Sequence, residues 1–240
     1  MYYRVEDKYL IYEDEIAYLK MCLSQIMDRD ENGRDGPYLI RSVYFDDMAD
    51  SAYLDNLSGV DLRSKFRIRT YNNDPSFIRL EEKSKRNGFT HKESALIGKE
   101  TADGLIAGGG TAFDAPKKAE LIGRSENFLI KKLYVSMLTN LLHPVTIVEY
   151  EREAFVSRVG NVRITFDMNI SGCGSAESFF DRTPPLVPVL EKGVHVLEVK
   201  YDEMLPGHIK KLIDTGSFRK SALSKYTMAR QITDQTGDML

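Results

Sequence analysis

Apolar and polar residues alternate along much of the chain, and this period of two predicts β-strands. In the segment SKFRIRTYN (64–72), Lys65, Arg67 and Arg69 share one face, while the residues between them share the other. The same alternation predicts further strands at 2–11, 38–47, 76–85, 89–97, 145–156, 161–168 and 194–202. Strands of this kind are expected to form an antiparallel sheet with one polar and one apolar side.

A helical period appears in fewer places. Residues 13–27 carry apolar residues at helical spacing, the last of them Ile26, and therefore predict an amphipathic helix. A second helix is predicted over 125–142, with Ser125 as its N-cap. Two more helices are predicted at 207–216 and 221–233.

The 240 residues are long enough to bury a sizeable core, and a single domain over residues 1–240 is predicted. Hydrophobic residues make up 42% of the chain and charged residues 29%, as is usual for a globular protein. Residues 98–142 form a mostly helical insertion between strands. Within it, Gly108–Gly110 is predicted to be a flexible loop, because it lacks the lysine and spacing of a phosphate-binding P-loop.

Charge and cysteine content narrow the classes of partner and compartment. The net charge of -3 argues against general nucleic-acid binding, so any basic site must be local. Cys22 and Cys173 lie far apart and are expected to be reduced thiols of a cytoplasmic protein. We expect no signal peptide and no membrane-spanning segment, because no apolar run approaches about 18–20 residues.

The polar faces of the predicted strands have two interpretations. In one, they face water as the outer side of an open antiparallel sheet. In the other, the sheet closes into a barrel whose lumen is polar and whose apolar side lies under helices. The faces are rich in arginine, which favours bidentate phosphate binding. Cations crowded in a lumen would repel one another and lose hydration, so they would require a polyanionic ligand.

The ordered segments EDKYLI, SVYFDD, KFRIRTYN, LEEKSK, YEREAF, VRITFD, LEVKYD with LP after it, and SKY resemble the VTC domain. This is the catalytic domain of polyphosphate polymerases within the triphosphate tunnel metalloenzyme (CYTH-like) superfamily. The resemblance implies an α+β fold: a closed antiparallel β-barrel forming a triphosphate tunnel, with helices packed outside and a C-terminal helix at one tunnel mouth. It spans essentially the whole chain.

The resemblance also implies the site residues, position by position. Those implied to act in catalysis are Lys8, Arg67, Arg69, Lys83, Arg152, Arg163 and Lys200. Those implied to bind substrate are Lys92, Tyr150, Ser224 and Lys225, and Glu198 is implied to bind a divalent metal, Mn²⁺ or Mg²⁺.

One departure affects the predicted reaction. The first strand of the superfamily reads Glu-x-Glu-x-Lys, whereas here Arg4 replaces the first acid before Glu6 and Lys8. This loses a metal ligand and favours a polymerase that extends polyphosphate from ATP. The implied partners are ATP and polyphosphate or pyrophosphate, without nucleic acid, and a separate membrane partner is left open.

Two alternative functions stay open beside the polymerase. A triphosphatase or tripolyphosphatase of the same fold would hydrolyse its substrate, although the missing first-strand acid counts against it. A non-catalytic module that binds polyphosphate or inositol phosphate would keep the arginines and would not need Glu198. Glu198 could then merely balance Lys200 or Arg163 as an ion pair.

Overall fold

The computed structural model describes residues 4–34, 36–107, 127–214 and 218–237, the last four of them as backbone only. The strands in these residues are β1 Arg4–Tyr12, β2 Asp28–Arg29, β3 Tyr38–Asp46, β4 Arg63–Tyr71, β5 Ile78–Arg86, β6 Phe89–Ile97, β7 His143–Ser157, β8 Val162–Cys173, β9 Val187–Pro188 and β10 Val194–Asp202. The helices are α1 Glu13–Leu23, α2 Ser51–Leu57, α3 Lys99–Ala107, α4 Phe128–Thr139, α5 Gly207–Asp214 and α6 Lys225–Gly237. The fold is α+β, and every strand pair whose register is defined runs antiparallel.

The eight predicted strands are confirmed, with ends that shift by a few residues. β8 runs on to Cys173, five residues past the predicted end at 168. Residues 28–37, which lie between a predicted helix and a predicted strand, contain the two-residue strand β2, whose Asp28 and Arg29 pair with β7. Closure of the strands into a barrel stays a prediction, as does the single domain.

The helix ends required more correction. The first helix stops at Leu23 rather than 27, and a tight turn then leaves Ile26 43% exposed while Met27 is buried. Asn127, rather than Ser125, is the N-cap of α4, since its side chain accepts hydrogen bonds from two backbone N–H groups of the first turn. Ser125 and Gly108–Gly110 lie outside the described residues.

The C-terminal helix α6 begins at Lys225, four residues later than the prediction of 221. Ser224 precedes it, and the Ser224 hydroxyl accepts a hydrogen bond of 3.4 Å from the backbone N–H of Thr227. A serine in this position satisfies an N–H group that has no partner within the helix, which fixes the start of the helix.

The chain divides into two compact units, each built from three chain segments. Unit 1 contains residues 1–39, 150–171 and 188–223, and unit 2 contains residues 40–149, 172–187 and 224–240. Four strands, β3, β7, β8 and β9, each contribute residues to both units.

Unit 1 contains the strand order β1-β10-β8-β7. Its apolar side packs under α1 and α5. Leu197 and Val199 of β10 lie there, so Glu198 between them projects from the opposite, polar side. The buried residues of this core are Ile11, Ile16, Leu19, Leu23, Met27, Phe155, Val162, Ile164, Phe166, Leu197, Val199, Ile209 and Ile213.

Unit 2 contains the strand order β3-β4-β5-β6, with the first part of β7 next to β3. Its apolar side carries Val43, Phe66, Ile68 and Leu80 and packs against α3 and α4, for example against Leu133. The polar side therefore carries the alternate residues of the same strands.

No helix in the described parts of the chain is both long enough and apolar enough to cross a bilayer.

Candidate functional site

Cations dominate the polar side of strands β4, β5 and β6 in unit 2. Arg67 lies opposite Glu81, whereas Lys65 lies opposite Lys83, which in turn lies opposite Lys92. Like charges placed directly opposite across a ladder are destabilising. We call this surface the cationic face; its cations are Arg63, Lys65, Arg67, Arg69, Arg79, Lys83, Lys85 and Lys92.

Glu81 is the carboxylate of the cationic face and is 2% exposed. Its Oε2 atom lies 2.7 Å from Arg67 Nε and 2.6 Å from Arg67 Nη2, and its Oε1 atom lies 2.5 Å from Lys92 Nζ. Burial would raise the pKa of Glu81, but the charges of Arg67, Arg69 and Lys92 outweigh it and lower the pKa to about 2. Glu81 is therefore an ionised counter-ion inside the face.

Lys92 shows the opposite effect of the same crowding. Partial burial, together with repulsion from Arg67 and Arg69, lowers the pKa of Lys92, although Glu81 works against this shift. An anion bound beside Lys92 would relieve that repulsion.

Tyr44 of β3 borders the cationic face. Its hydroxyl accepts a hydrogen bond of 3.0 Å from Arg67 Nη1. Burial alone would raise the pKa of Tyr44, but Arg67, Arg69 and Lys65 lower it to about 7. The cations thus stabilise a second negative charge beside Glu81. The adjacent Ser42 hydroxyl accepts a hydrogen bond of 3.1 Å from Arg69 Nε.

The start of helix α6 packs on this face through Tyr226. The Tyr226 ring stacks on Tyr44 with 5.0 Å between centroids, and Lys65 Nζ lies 5.5 Å from the Tyr226 ring centre. The Tyr226 hydroxyl donates a 2.5 Å hydrogen bond to Asp46, whose carboxylate also accepts from backbone N–H groups at the start of α2. Ser224 and Lys225, two predicted substrate-binding residues, therefore lie directly before a residue that contacts the cationic face.

The predicted residues of unit 1 form balanced ion pairs instead. Lys8 Nζ lies 3.0 Å from Glu6 Oε1 and 4.0 Å from Glu198 Oε2. Lys200 forms an ion pair with Glu198 and lies 3.7 Å from Glu6 Oε2. Two lysines and two glutamates therefore alternate across β1 and β10, as the pairing of Lys8 with Glu198 requires. Lys8 Nζ also donates a hydrogen bond of 3.0 Å to the Leu223 carbonyl.

The two predicted arginines of unit 1, Arg152 and Arg163, are paired as well. Arg152 forms a bidentate pair with Asp167, with Nε–Oδ1 and Nη2–Oδ2 distances of 2.6 and 2.8 Å. Its guanidinium also lies 5.2 Å from the Tyr150 ring centre. Burial would lower the pKa of Arg152, but Asp167, Tyr150 and Glu198 raise it well above the usual value. Arg152 is firmly charged.

Arg163 binds Asp30, with 2.6 Å between Nη2 and Oδ2. The Tyr38 hydroxyl donates a hydrogen bond of 3.2 Å to the same Asp30 oxygen. Burial raises the pKa of Tyr38, Arg152 lowers it, and Asp30 raises it again, with the result that this pKa is about 12. Tyr38 is therefore a neutral hydrogen-bond donor here.

The VTC domain family matches residues 3–233. The chain belongs to the VTC domain family. The resemblance seen in the sequence is thereby confirmed, and no curated protein matches the chain.

Solved structures similar to this VTC domain share little sequence with it. A Bacillus halodurans protein provisionally assigned as an adenylate cyclase is 14% identical, with a TM-score of 0.51; the match covers 92% of this chain and 93% of that chain. The PH1819 protein of Pyrococcus horikoshii OT3 is 13% identical, with a TM-score of 0.49, covering 95% of this chain and 99% of that one. The Bacillus likeness supports the fold of this VTC domain.

The oxygen atoms around Glu198 suit a hard divalent ion in this VTC domain. Glu198 is 5% exposed, and Thr165 lies directly opposite it on β8. In the described parts of the chain, the buried Thr165 Oγ1 has no hydrogen-bond partner. The same described residues contain no group of three or more His, Cys, Asp or Glu side chains that could hold a metal alone. Mg²⁺ commonly binds through one or two carboxylates plus substrate phosphates, and Glu198 with Glu6 fits that mode.

Sequence reasoning missed four residues of these networks: Tyr44, Glu81, Asp30 and Tyr226. Glu81 was visible in the polar row of its strand, but only the pairing register places it opposite Arg67. For Tyr226 the available signal was its position directly after Ser224 and Lys225 in the SKY segment. Asp30 lies outside the predicted helices and strands and carried no signal.

Proposed function

We propose that this VTC domain is a polyphosphate polymerase that transfers the terminal phosphate of ATP to a growing polyphosphate chain. The observation that carries the proposal is the cationic face, on which eight cations of β4, β5 and β6 surround the Glu81 carboxylate. Membership of the VTC family supports a polyphosphate-related phosphoryl transfer.

The cationic face favours phosphate because cations lie opposite cations across the ladder. Lys65, Lys83 and Lys92 lie in one row across three strands, and Arg69 lies opposite Arg79. A phosphate chain carries negative charge along its whole length, so it can neutralise several rows together. Arg67 and Arg69 would bind phosphate oxygens through their planar guanidinium groups.

The chemistry needs alignment and charge neutralisation rather than a protein nucleophile. The terminal oxygen of the polyphosphate chain attacks the γ-phosphorus of ATP, and the bond to ADP breaks as the new phosphoanhydride forms. The predicted catalytic cations of unit 2, Arg67, Arg69 and Lys83, would neutralise charge on phosphate oxygens. The predicted catalytic cations of unit 1 are proposed to bind phosphate oxygens as well; they are Lys8, Arg152, Arg163 and Lys200. A divalent ion, when bound at Glu198, would add Lewis-acid stabilisation of the phosphate oxygens.

The predicted substrate-binding residues have distinct supporting roles. Lys92 would shift from Glu81 to a phosphate oxygen, since both are anionic acceptors. Tyr150 holds its ring against the Arg152 guanidinium and would keep that arginine oriented. Ser224 caps α6 and would fix Lys225 beside the substrate. Under the same proposal, the strands close into a tunnel and the protein acts in the cytoplasm. A separate membrane protein could then take up the product.

A binding module without turnover is the second candidate, and one observation favours it. Glu198 forms an ion pair with Lys200 and approaches Lys8, so its charge has protein partners that do not depend on metal. In that case the domain would bind polyphosphate or inositol phosphate and release it unchanged.

One assay separates the candidates. The purified domain is incubated with ATP and Mn²⁺, and the products are resolved by gel electrophoresis. Long chains that a polyphosphatase degrades are the result expected for the polymerase. Free phosphate alone would indicate a triphosphatase, and bound but unchanged nucleotide would indicate the binding module.

A further inference from the structure

Helix α2 and the turn after it expose a group of apolar side chains. Leu54 and Leu57 are each 51% exposed and lie next to each other on the helix surface, because they are three residues apart. Val60, in the turn, is 40% exposed. We call these three residues the α2 patch. Single exposed apolar residues are ordinary, whereas a cluster of them with charged residues around it is typical of an interaction site.

The turn after α2 brings Val60 against the helix. The backbone N–H of Val60 donates a hydrogen bond of 3.0 Å to the Asp55 carbonyl, and that of Gly59 donates one of 3.4 Å to the Asn56 carbonyl. Gly59 has a φ of +69°. This is the Schellman arrangement, in which the residue after the glycine packs on the last turn of the helix, here at Leu54. The α2 patch is therefore one continuous apolar surface.

Helix α6 packs on a different side of α2. The Asn56 side chain accepts a hydrogen bond of 3.1 Å from the Thr227 hydroxyl, and the Arg230 guanidinium lies 5.6 Å from the Tyr53 ring centre. Arg230 also forms a 2.7 Å ion pair with Asp50, which precedes the helix. These contacts hold α2 in place through its inner side, so the α2 patch on the outer side is not the surface that receives α6.

The segment around the α2 patch is acidic. Residues 47–62 carry four carboxylates and no Lys, Arg or His; the carboxylates are those of Asp47, Asp50, Asp55 and Asp61. Ion pairs partly neutralise Asp50 and Asp61. Asp47 instead accepts hydrogen bonds of 3.0 Å from the uncharged backbone N–H groups of Ala49 and Ser51. Asp55 lies at the border of the α2 patch, directly after its first leucine. A partner is therefore expected to be basic.

The charge and the backbone of α2 select among possible occupants. A second copy of this chain would bring the same aspartates together, and an anionic lipid surface would be repelled by them. The backbone groups of a helix are bonded within the helix, so an added β-strand would have no edge to pair with. A helix with its own apolar ridge can pack beside Leu54 and Leu57, and Lys or Arg next to that ridge would meet the carboxylates.

We propose that the α2 patch is a docking site for a basic amphipathic helix of a partner protein. The apolar residues of that helix pack on Leu54, Leu57 and Val60, and its Lys or Arg side chains contact Asp47 and Asp55. This interaction goes beyond the proposed phosphoryl transfer and does not depend on it. The small size of the α2 patch suits a transient contact rather than a permanent subunit interface.

The test uses three labelled peptides, each titrated with the full chain by fluorescence anisotropy. The probe contains only leucine and lysine, with leucines at helical spacing, and is about 18 residues long so that it can form a helix on binding. A second peptide has glutamate in place of lysine, and a third has the leucines and lysines in scrambled order. The probe should bind saturably, and each of the other two should bind at least about tenfold more weakly.

Variants of the chain test where the probe binds. Leu54→Ser/Leu57→Ser should weaken its binding by about tenfold or more, because less apolar surface is buried. Leu54→Met/Leu57→Met should stay within about twofold of wild type, since the apolar surface is kept. Asp55→Asn should weaken binding by about two- to fivefold, on the scale of one exposed ion pair. Thermal unfolding checks that each variant folds.

The matched control is Val135→Ser/Leu138→Ser on α4. These two residues have the same spacing as the leucines of α2 and are each 53% exposed, but α4 carries two lysines and no carboxylate. The control should therefore bind the probe as the wild type does.

Other outcomes would overturn the docking site. They are equal binding of the glutamate peptide, no saturable binding of the probe below about 1 mM, unchanged binding by Leu54→Ser/Leu57→Ser, or an equal loss in the α4 control. Dimers in sedimentation equilibrium that this α2 variant dissociates would assign the α2 patch to a second copy. Binding to phosphatidylglycerol vesicles that the same variant loses would assign it to a lipid surface, and either result would also refute the proposal.

Discussion

Replacing Glu81 with glutamine should destabilise the free domain and strengthen its binding of phosphate. The glutamine keeps the shape of the side chain but removes the charge that Arg67 and Lys92 contact. The pKa of Glu81 falls from 4.5 to about 2 in the folded chain. At about 1.4 kcal/mol per unit, this corresponds to roughly 3 kcal/mol of stability at neutral pH.

Little of this stability is lost to solvent screening, because Glu81 is 2% exposed. We therefore expect Glu81→Gln to lower the free energy of unfolding by about 2–3 kcal/mol, or the melting temperature by about 5–10 °C. A carboxylate with a lowered pKa stabilises the fold above its unfolded value of about 4.5. That contribution is lost as the pH falls toward about 2, so the variant should lack this part of the acid transition.

Phosphate binding should change in the opposite direction. With Glu81 neutral, Arg67 and Lys92 lose their internal counter-ion, and tripolyphosphate affinity should rise by about three- to tenfold at low salt. Scanning fluorimetry and calorimetry at pH 7 measure both effects. Glu93→Gln is the control, since Glu93 lies opposite Glu82, on the other side of the sheet. If Glu81→Gln matched this control in both measurements, Glu81 would not be the counter-ion of the face.

Three further predictions concern Tyr44, Glu198 and Tyr226. The pKa of Tyr44 is lowered to about 7 chiefly by Arg67, Arg69 and Lys65 against the effect of burial, with Glu81, Tyr226, Asp46 and Arg230 as the other ionisable groups nearby. Sulfate keeps a constant charge in this range, so its binding should weaken as the pH rises from 6 to 8, about one unit either side of that pKa. The free energy of unfolding should rise between about pH 7 and 10, because the ionised form of Tyr44 is favoured in the folded chain. Tyr44→Phe should remove both trends, and a variant that keeps them would assign the titration to another group. Glu198→Gln should lower metal-dependent turnover by about 10²-fold, which is the scale of lost electrostatic stabilisation. Nucleotide binding in the absence of metal should not weaken. Turnover near the wild-type rate would leave Glu198 as an ion-pair partner of Lys200. Tyr226→Phe should lower the free energy of unfolding by about 1.5–3 kcal/mol, because the Asp46 carboxylate loses a hydrogen bond. Chemical denaturation measures this, with Tyr12→Phe on the exposed end of β1 as the control. Equal stability of the two variants would show that the Asp46 contact does not hold α6.

Alternation along the chain was sufficient to predict which residues share a face. Leu197 and Val199 were expected under the helices and lie there, because burial of apolar residues on one side fixes the strand's orientation. In the predicted strand 145–156, Glu149, Glu151 and Glu153 form one polar row and Tyr150 and Arg152 form another, so alternation alone does not identify the side that faces the other polar rows. Arg152 contacts Asp167, while Glu153 pairs with Lys20 of α1 and Arg29.

The charge balance of each face could not be predicted from the same pattern. It depends on register, which places Arg67 opposite Glu81 but Lys65 opposite Lys83. It also depends on residues far away in sequence, such as Asp30, which neutralises Arg163. From the sequence alone, arginines that are neutralised by a carboxylate cannot be distinguished from arginines that lie among other cations.

The segmented construction of unit 2 has a consequence for how the protein is made. Residues 224–240 belong to unit 2, and Tyr226 among them packs on Tyr44, which is synthesised about 180 residues earlier. At translation rates of about 5–20 residues per second, Tyr44 and the strands around it wait roughly 10–35 s for that partner. Until then Tyr226 does not pack on the cationic face. Under the proposed function, polyphosphate or ATP would reach this face of the nascent chain and act as a folding ligand before α6 docks.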